Sequence, residues 1–169
     1  MTFDRAFALT IGEEGGESNN PADRGGHTFR GVTQRTFTAW LTANGSDDRD
    51  VITMTDAECR SIAKVMFWNR AKCDDCPELT GCLHFDASWN HGPANAVRLL
   101  QTALGVEVDG NFGPHTLGVL SAADDRTVLA AYFAARKDFY AHIVASTPSQ
   151  AIFWAGWMSR LDHLKKALA

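Results

Sequence analysis

Nothing in these 169 residues approaches the run of about 20 apolar residues that a bilayer-spanning helix needs. The first residues, which include Asp4 and Arg5, lack a signal-peptide pattern, so export is expected to need help. Excess positive charge is missing too, with 16 Lys+Arg against 20 Asp+Glu and a net charge of −4. That balance gives no broad attraction to nucleic acid or to an anionic membrane. No internal repeat or low-complexity segment is present, and strand signals are confined to residues 28 to 33 and 106 to 108. Cysteine is scarce: Cys59, Cys73, Cys76 and Cys82. Cys73 and Cys76 have Cys-x-x-Cys spacing, but the second such pair of a four-thiolate zinc frame is missing. Disulfides are disfavoured in a chain without a secretion signal. Reduced, buried thiols are therefore expected, with a structural metal or a bridge formed after release as alternatives. Neither a metal nor a cofactor is expected.

What is present suits one compact, mainly helical unit. Apolar residues make up 45% of the chain and charged residues 21%, enough to bury a core within single-domain size. Thr55 and Glu58 have capping-box spacing, and Cys59, Ile62, Ala63, Met66 and Phe67 follow at helical steps. Pro93 suits a first helical turn, Gly105 a helix stop, Asp109-Gly110 a tight turn, and Pro114 another helix start. Leu129, Tyr132, Phe133, Arg136, Phe139, Tyr140 and Ile143 mark a long helix ending near Pro148. Ser149 is expected to cap the last helix, whose stripe of Phe153, Trp157, Leu161, Leu164 and Leu168 reads as core. Residues 44 to 50 read as an acidic surface loop.

One carboxylate stands out chemically. Phe3, Ala6, Phe7, Thr10 and Ile11 recur on one helix face, and Glu14 is the next position on it, just before Gly15 and Gly16 stop the helix. A carboxyl half-withdrawn from water beside aromatic carbons has its pKa raised, because desolvation disfavours the charged form. Such a group can hold a proton near neutral pH and donate it, as a general acid for sugar-bond cleavage does. A solvent-facing helix-end acid, as Glu13 is expected to be, is the plain alternative. Residues 15 to 33 contain five glycines and almost no aliphatic side chains, so they read as a folded-back loop or short irregular hairpin. Such a loop can bring Asp23 and Thr28 to the acid, where Asp23 would activate a water and Thr28 orient it. In an inverting glycosidase the two carboxyls stand roughly 6.5–9.5 Å apart to leave room for that water. Turn-forming roles for Asp23 and Thr28 are the alternative.

The run Glu14-Gly15-Gly16, then Asn20-Pro21-Ala22-Asp23-Arg24-Gly25-Gly26-His27-Thr28 and Gly31-Val32-Thr33, resembles the signature of glycoside hydrolase family 108. These are phage and bacterial N-acetylmuramidases with a lysozyme-like fold. The resemblance implies cleavage of the β-1,4 bond after N-acetylmuramic acid in peptidoglycan, with Glu14 as the catalytic acid. The order acid, Asp, Thr also resembles the phage lysozymes of family 24, although four residues separate Asp23 from Thr28 here and that family usually has five. A second stretch, Asp86-Ala87-Ser88-Trp89-Asn90-His91-Gly92-Pro93 through Leu99-Leu100-Gln101 to Asp109-Gly110-Asn111-Phe112-Gly113-Pro114, resembles the predicted peptidoglycan-binding region that follows this catalytic segment. Phe153, Gly156-Trp157 and Arg160-Leu161 resemble its closing helix. The expected organisation is a muramidase region over 1–88 and a peptidoglycan-binding-like helical region over 89–169, packed as one unit. Charge divides accordingly: nine Lys+Arg against fourteen Asp+Glu in 1–88, and seven against six beyond.

Glu17 is a departure, standing where relatives commonly carry Tyr. It either raises the pKa of Glu14 by like-charge repulsion or is solvated. His27 and Phe29 flank Thr28 and are candidate substrate contacts, with a plain surface role as the alternative for His27. Trp89 and Asn90, between the apolar segment Leu83 to Ala87 and a helix start at Pro93, are candidates from the opposite wall. Asn90 can bond a sugar acetamido group or cap that helix. The expectation is a monomeric peptidoglycan hydrolase acting on glycan strands. In the phage setting the resemblance implies, it is made in the host cytoplasm and reaches the periplasmic wall through a holin-type pore. A non-catalytic peptidoglycan-binding protein and a lytic transglycosylase are the alternatives.

Overall fold

A computed structural model of the chain describes residues 3–11, 17–18 and 27–169, with the backbone alone at 17 and 18. Glu14, the Gly15-Gly16 stop and Asp23 lie outside the described residues. The fold is mainly helical. Helix α1 (Phe3–Ile11) buries Ala6 and Thr10. Strands β1 (Glu17–Ser18), β2 (Thr28–Phe29) and β3 (Val32–Thr33) form a small antiparallel sheet in that order. Then come α2 (Gln34–Ala43), α3 (Asp56–Ile62), α4 (Glu78–His91), α5 (Pro93–Leu104), α6 (Pro114–Ala122), α7 (Asp125–Ser146) and α8 (Trp154–Ala167).

Helix α4 is the axis. Residues 80 to 89 are all buried, so α4 has no solvent face and packs against α1, α5 and α7. Such a helix must satisfy every polar side chain it carries. His84 does so through Ala71 O (2.9 Å) and the Tyr132 hydroxyl (2.8 Å), and Ser88 donates to Phe67 O (3.1 Å). Helix α1 is tied to α4 at two places, Arg5 pairing with Glu78 and the end of α1 being linked to Asp86 through Arg160. Phe3 lies against Trp68 and Phe85 at centroid distances of 5.4 and 5.8 Å. Both residues of the expected 88/89 boundary lie inside α4.

Several local expectations hold for the stated reasons. The Thr55–Glu58 capping box is formed in both directions, and α3 continues into a π-helical stretch, Ala63–Trp68. Pro93 and Pro114 open α5 and α6, Gly105 ends α5 in the left-handed region, and Gly110 turns at φ +77°. Residues 28 to 33 form a two-residue hairpin whose central Arg30 and Gly31 both have positive φ (53° and 81°), the turn that matches strand twist.

Other expectations are corrected. Residues 106 to 108 are not a strand: the Gln101 amide organises the following loop by donating to Asp109 Oδ1 (2.6 Å) and Asn111 O (3.1 Å) and accepting from Gly110 N (2.8 Å). Ser149 caps nothing, because Pro148–Phe153 is a 3₁₀ helix that runs directly into α8 with Phe153 at its N-cap. Trp89, Asn90 and His91 do precede the helix start at Pro93, but as the last turn of α4, and Gly92 (φ +82°), not Asn90, stands at the N-cap of α5. Leu161, Leu164 and Leu168 are core, whereas Phe153 and Trp157 are only half-buried and line a cleft. The four cysteines are free and buried, and among the described residues no three His, Cys, Asp or Glu gather as metal ligands.

Candidate active site

The site is framed by one buried anion between two arginines. Asp86 on α4 and Arg136 on α7 are fully buried and bonded at 2.7 Å, while Arg160 on α8 grips Asp86 through Nε (3.0 Å) and Nη2 (2.5 Å). Burial would raise the Asp86 carboxyl, yet the two guanidinium groups hold it below its usual range. The same Arg160 Nη2 donates to Thr10 O at 2.8 Å. That carbonyl belongs to the last turn of α1, where intrahelical donors run out. Arg160 therefore ties the end of α1, three residues before Glu14, to the centre of the fold.

The sheet forms the next wall. Gly31 comes so close to Trp89 that a Cβ there would stand 2.5 Å from the indole Nε1. Only glycine lets the turn lie on that ring at φ +81°. Trp89 is 9% exposed and is packed by Phe67 (4.7 Å) and Phe85 (6.2 Å), so it supports the hairpin from beneath. Thr28 and Phe29 sit half-buried on β2, opposite Thr33 and Val32. His27 Nδ1 lies 3.6 Å from Asp50 Oδ1, and its carbonyl accepts from Gln34 N at 2.9 Å. Arg30 pairs with Asp56 and covers the Phe29 ring at 5.5 Å.

Asn90 is exposed at the end of α4, with its amide nitrogen donating to Asp86 O at 2.8 Å. It stands at the rim of a cleft of about 250 Å³ whose other walls are His91, Tyr140, Gln150, Phe153 and Trp157. Tyr140 and Trp157 are stacked, 4.7 Å apart and inclined by 14°. Burial, with Arg136 nearby, pushes the His91 imidazole down to about 3, so it is neutral at physiological pH. Of the seven candidate site residues, the structure places Thr28, His27 and Phe29 on the hairpin side and Trp89 and Asn90 at the end of α4. Glu14 and Asp23 lie outside the described residues.

Sequence reasoning missed Arg136, Tyr140, Trp157 and Arg160 as parts of this frame. A signal existed: an arginine on the apolar stripe of α7 and an aspartate after the apolar run Leu83–Phe85 together mark a buried ion pair. The pairing across fifty residues was not legible.

A mainly helical, lysozyme-like fold with a small sheet packed on Trp89 near the end of its central helix defines a class, the lysozyme-like glycoside hydrolases. The family Glycosyl hydrolase 108 matches residues 7–92, and the family Predicted Peptidoglycan domain matches residues 95–162. The chain belongs to glycosyl hydrolase family 108 and is a peptidoglycan-degrading glycoside hydrolase. Twelve solved chains match it, among them one described as the structure of Brucella abortus SagA. That structure is 27% identical, with a TM-score of 0.84 over 98% of this chain and 92% of the other. No curated protein matches.

Proposed function

We propose that the protein is an N-acetylmuramidase that hydrolyses the β-1,4 bond between N-acetylmuramic acid and N-acetylglucosamine. Glu14 is the general acid that protonates the glycosidic oxygen, Asp23 the base that takes a proton from the attacking water, and Thr28 the group that orients that water. His27, Phe29 and Asn90 contact the glycan, while Trp89 contributes mainly by holding the hairpin. The observation that carries this reading is the anchored end of α1, where Arg160 bonds both Asp86 and Thr10 O. Arg160 thereby fixes the last turn of the helix that leads in sequence to Glu14. A fixed approach matters because a misplacement of about 1 Å can cost a hundredfold in rate.

Because Asp86 bonds Arg136 and Arg160, we infer that regions 1–88 and 89–169 act as one unit. From the resemblance of the sequence alone, we further propose a role as a monomeric endolysin released from the host cytoplasm to the wall. Muropeptide mass analysis after digestion of isolated sacculi tests the chemistry. Wild-type protein gives reducing-end products, Glu14→Gln gives none with the fold intact, and Asp23→Asn loses most of the rate. Undiminished lysis by Glu14→Gln sinks the proposal. A 1,6-anhydro product that survives Asp23→Asn makes the enzyme a lytic transglycosylase, and sacculus binding without any cleavage makes it a non-catalytic wall binder.

A further inference from the structure

We propose that the cleft between the end of α4, the last turns of α7 and the first turn of α8 is a subsite for one N-acetylated amino-sugar ring, with Trp157 as its apolar platform. The inference rests on peptidoglycan being the substrate and says which part of that polymer the cleft takes.

Peptidoglycan offers three chemistries: neutral N-acetyl sugars, peptide carboxylates and the amine of a diamino acid. Among the described residues, no side chain lining the cleft carries a charge at neutral pH, since Asn90, Tyr140, Ile143, Gln150, Phe153 and Trp157 are uncharged and His91 is held neutral. The nearby cations are engaged: Arg136 and Arg160 both face inward onto Asp86, which cancels one of the two charges. An amine entering the cleft would meet no carboxylate among the described lining residues, and a carboxylate would meet only guanidinium groups turned inward onto Asp86. A neutral sugar needs no counter-ion.

Size and shape agree. About 250 Å³ lies below the roughly 300–1,000 Å³ of pockets that enclose drug-sized ligands, which fits a single ring. The stacked Tyr140–Trp157 pair, with Phe153 a further 6.0 Å from Trp157, makes a wall of rigid rings, and rigid aromatics order a ligand at low entropic cost. The C–H face of a pyranose and the acetamido methyl can both lie on such a wall. An acetamido group also needs one acceptor for its N–H and one donor for its carbonyl. Asn90 supplies the acceptor, because its nitrogen is committed to Asp86 O and its oxygen is not. The Gln150 amide, on the far rim, supplies the donor.

The test uses full-length Glu14→Gln protein titrated with tri-N-acetylchitotriose while the indole N–H signals are followed by NMR. The Trp157 signal is expected to shift, cellotriose to bind at least tenfold more weakly, and an acetylated stem tripeptide to leave the signal in place. Trp157→Ala should weaken chitotriose binding at least tenfold, and Trp157→Phe, which keeps a ring, by less. An unmoved Trp157 signal, equal binding of cellotriose, or a response to the tripeptide overturns the subsite. These failures differ from failure of the proposed function. Wild-type hydrolysis of sacculi with an unperturbed cleft removes the subsite alone, whereas a Trp157 response in a chain whose Glu14→Gln variant still lyses cells removes Glu14 alone.

Discussion

Replacing Asp86 by Asn tests whether the buried ion triad holds the two halves of the site together. Asn keeps the size of Asp and one acceptor oxygen but removes the only anion that, among the described residues, pairs with Arg136, whose side chain is fully buried, and Arg160, whose side chain is 32% exposed. Breaking a buried pair from one side costs about 3–5 kcal/mol, because the remaining charge keeps its desolvation penalty. Partial exposure of Arg160 and the retained oxygen place this change near the lower end, about 3 kcal/mol. For a chain of this size that corresponds to a fall in Tm of roughly 6–12 °C. Circular dichroism melts at pH 7 measure it. The direction of the pH effect is also set: the folded pKa of Asp86 is lowered, so its contribution is full above the ordinary carboxylate range of about 3.9 and disappears as pH falls through the folded value. Wild type and variant should therefore converge in strong acid. A pH 7 shift below about 2 °C would mean that the triad is not the structural tie its geometry implies. A double change, Asp86→Leu with Arg136→Met, should recover part of the loss by removing the stranded charge.

Burial lowers His84 to about 4, so between that value and its unfolded 6.5 the unfolded chain binds the extra proton and acidification costs up to roughly 3 kcal/mol. An NMR titration in which the His84 ring charges near 6.5 in the folded protein would contradict this. Gly31→Ala puts a Cβ against the Trp89 indole at positive φ, which should cost about 2–4 kcal/mol and change the Trp89 environment. An unchanged melt and unchanged tryptophan fluorescence would refute the close approach. Burial pushes the Cys59 thiol up to about 11 and raises Cys73, Cys76 and Cys82 as well, so a disulfide exchange reagent at pH 8 should find no fast thiol until denaturant is added. Rapid reaction of the folded chain, or release of zinc on denaturation, would overturn that picture.

Much of the fold was legible because it rests on local chemistry. Capping at Thr55, prolines at the first turns of α5 and α6, the left-handed Gly105 stop and the long apolar stripe of α7 each follow from neighbours a few residues apart. The failures have one cause. Ser149 has a capping residue's chemistry, but the 3₁₀ turn of Pro148–Phe153 leads into α8 without a break. Residues 106 to 108 have strand-like composition, but their loop is organised by the side chain of Gln101. Trp157 sits on a stripe that looks like core, yet the packing of α7 against α8 leaves it on the wall of a cleft.

The sequence by itself determined the helical class, the starts of α3, α5 and α6, the ends of α5 and α7, the hairpin at 28 to 33 and the family, since each depends on residue types at short fixed spacings. Tertiary structure decided what the Asp86 motif is for. A carboxylate inside an apolar run is costly until two arginines, 50 and 74 positions away, arrive to compensate it, and no local pattern specifies which cations those are. It also decided that Trp89 underlies the hairpin and that Tyr140 and Trp157 stack beside Asn90, because such contacts exist only once α4, α7 and α8 have packed.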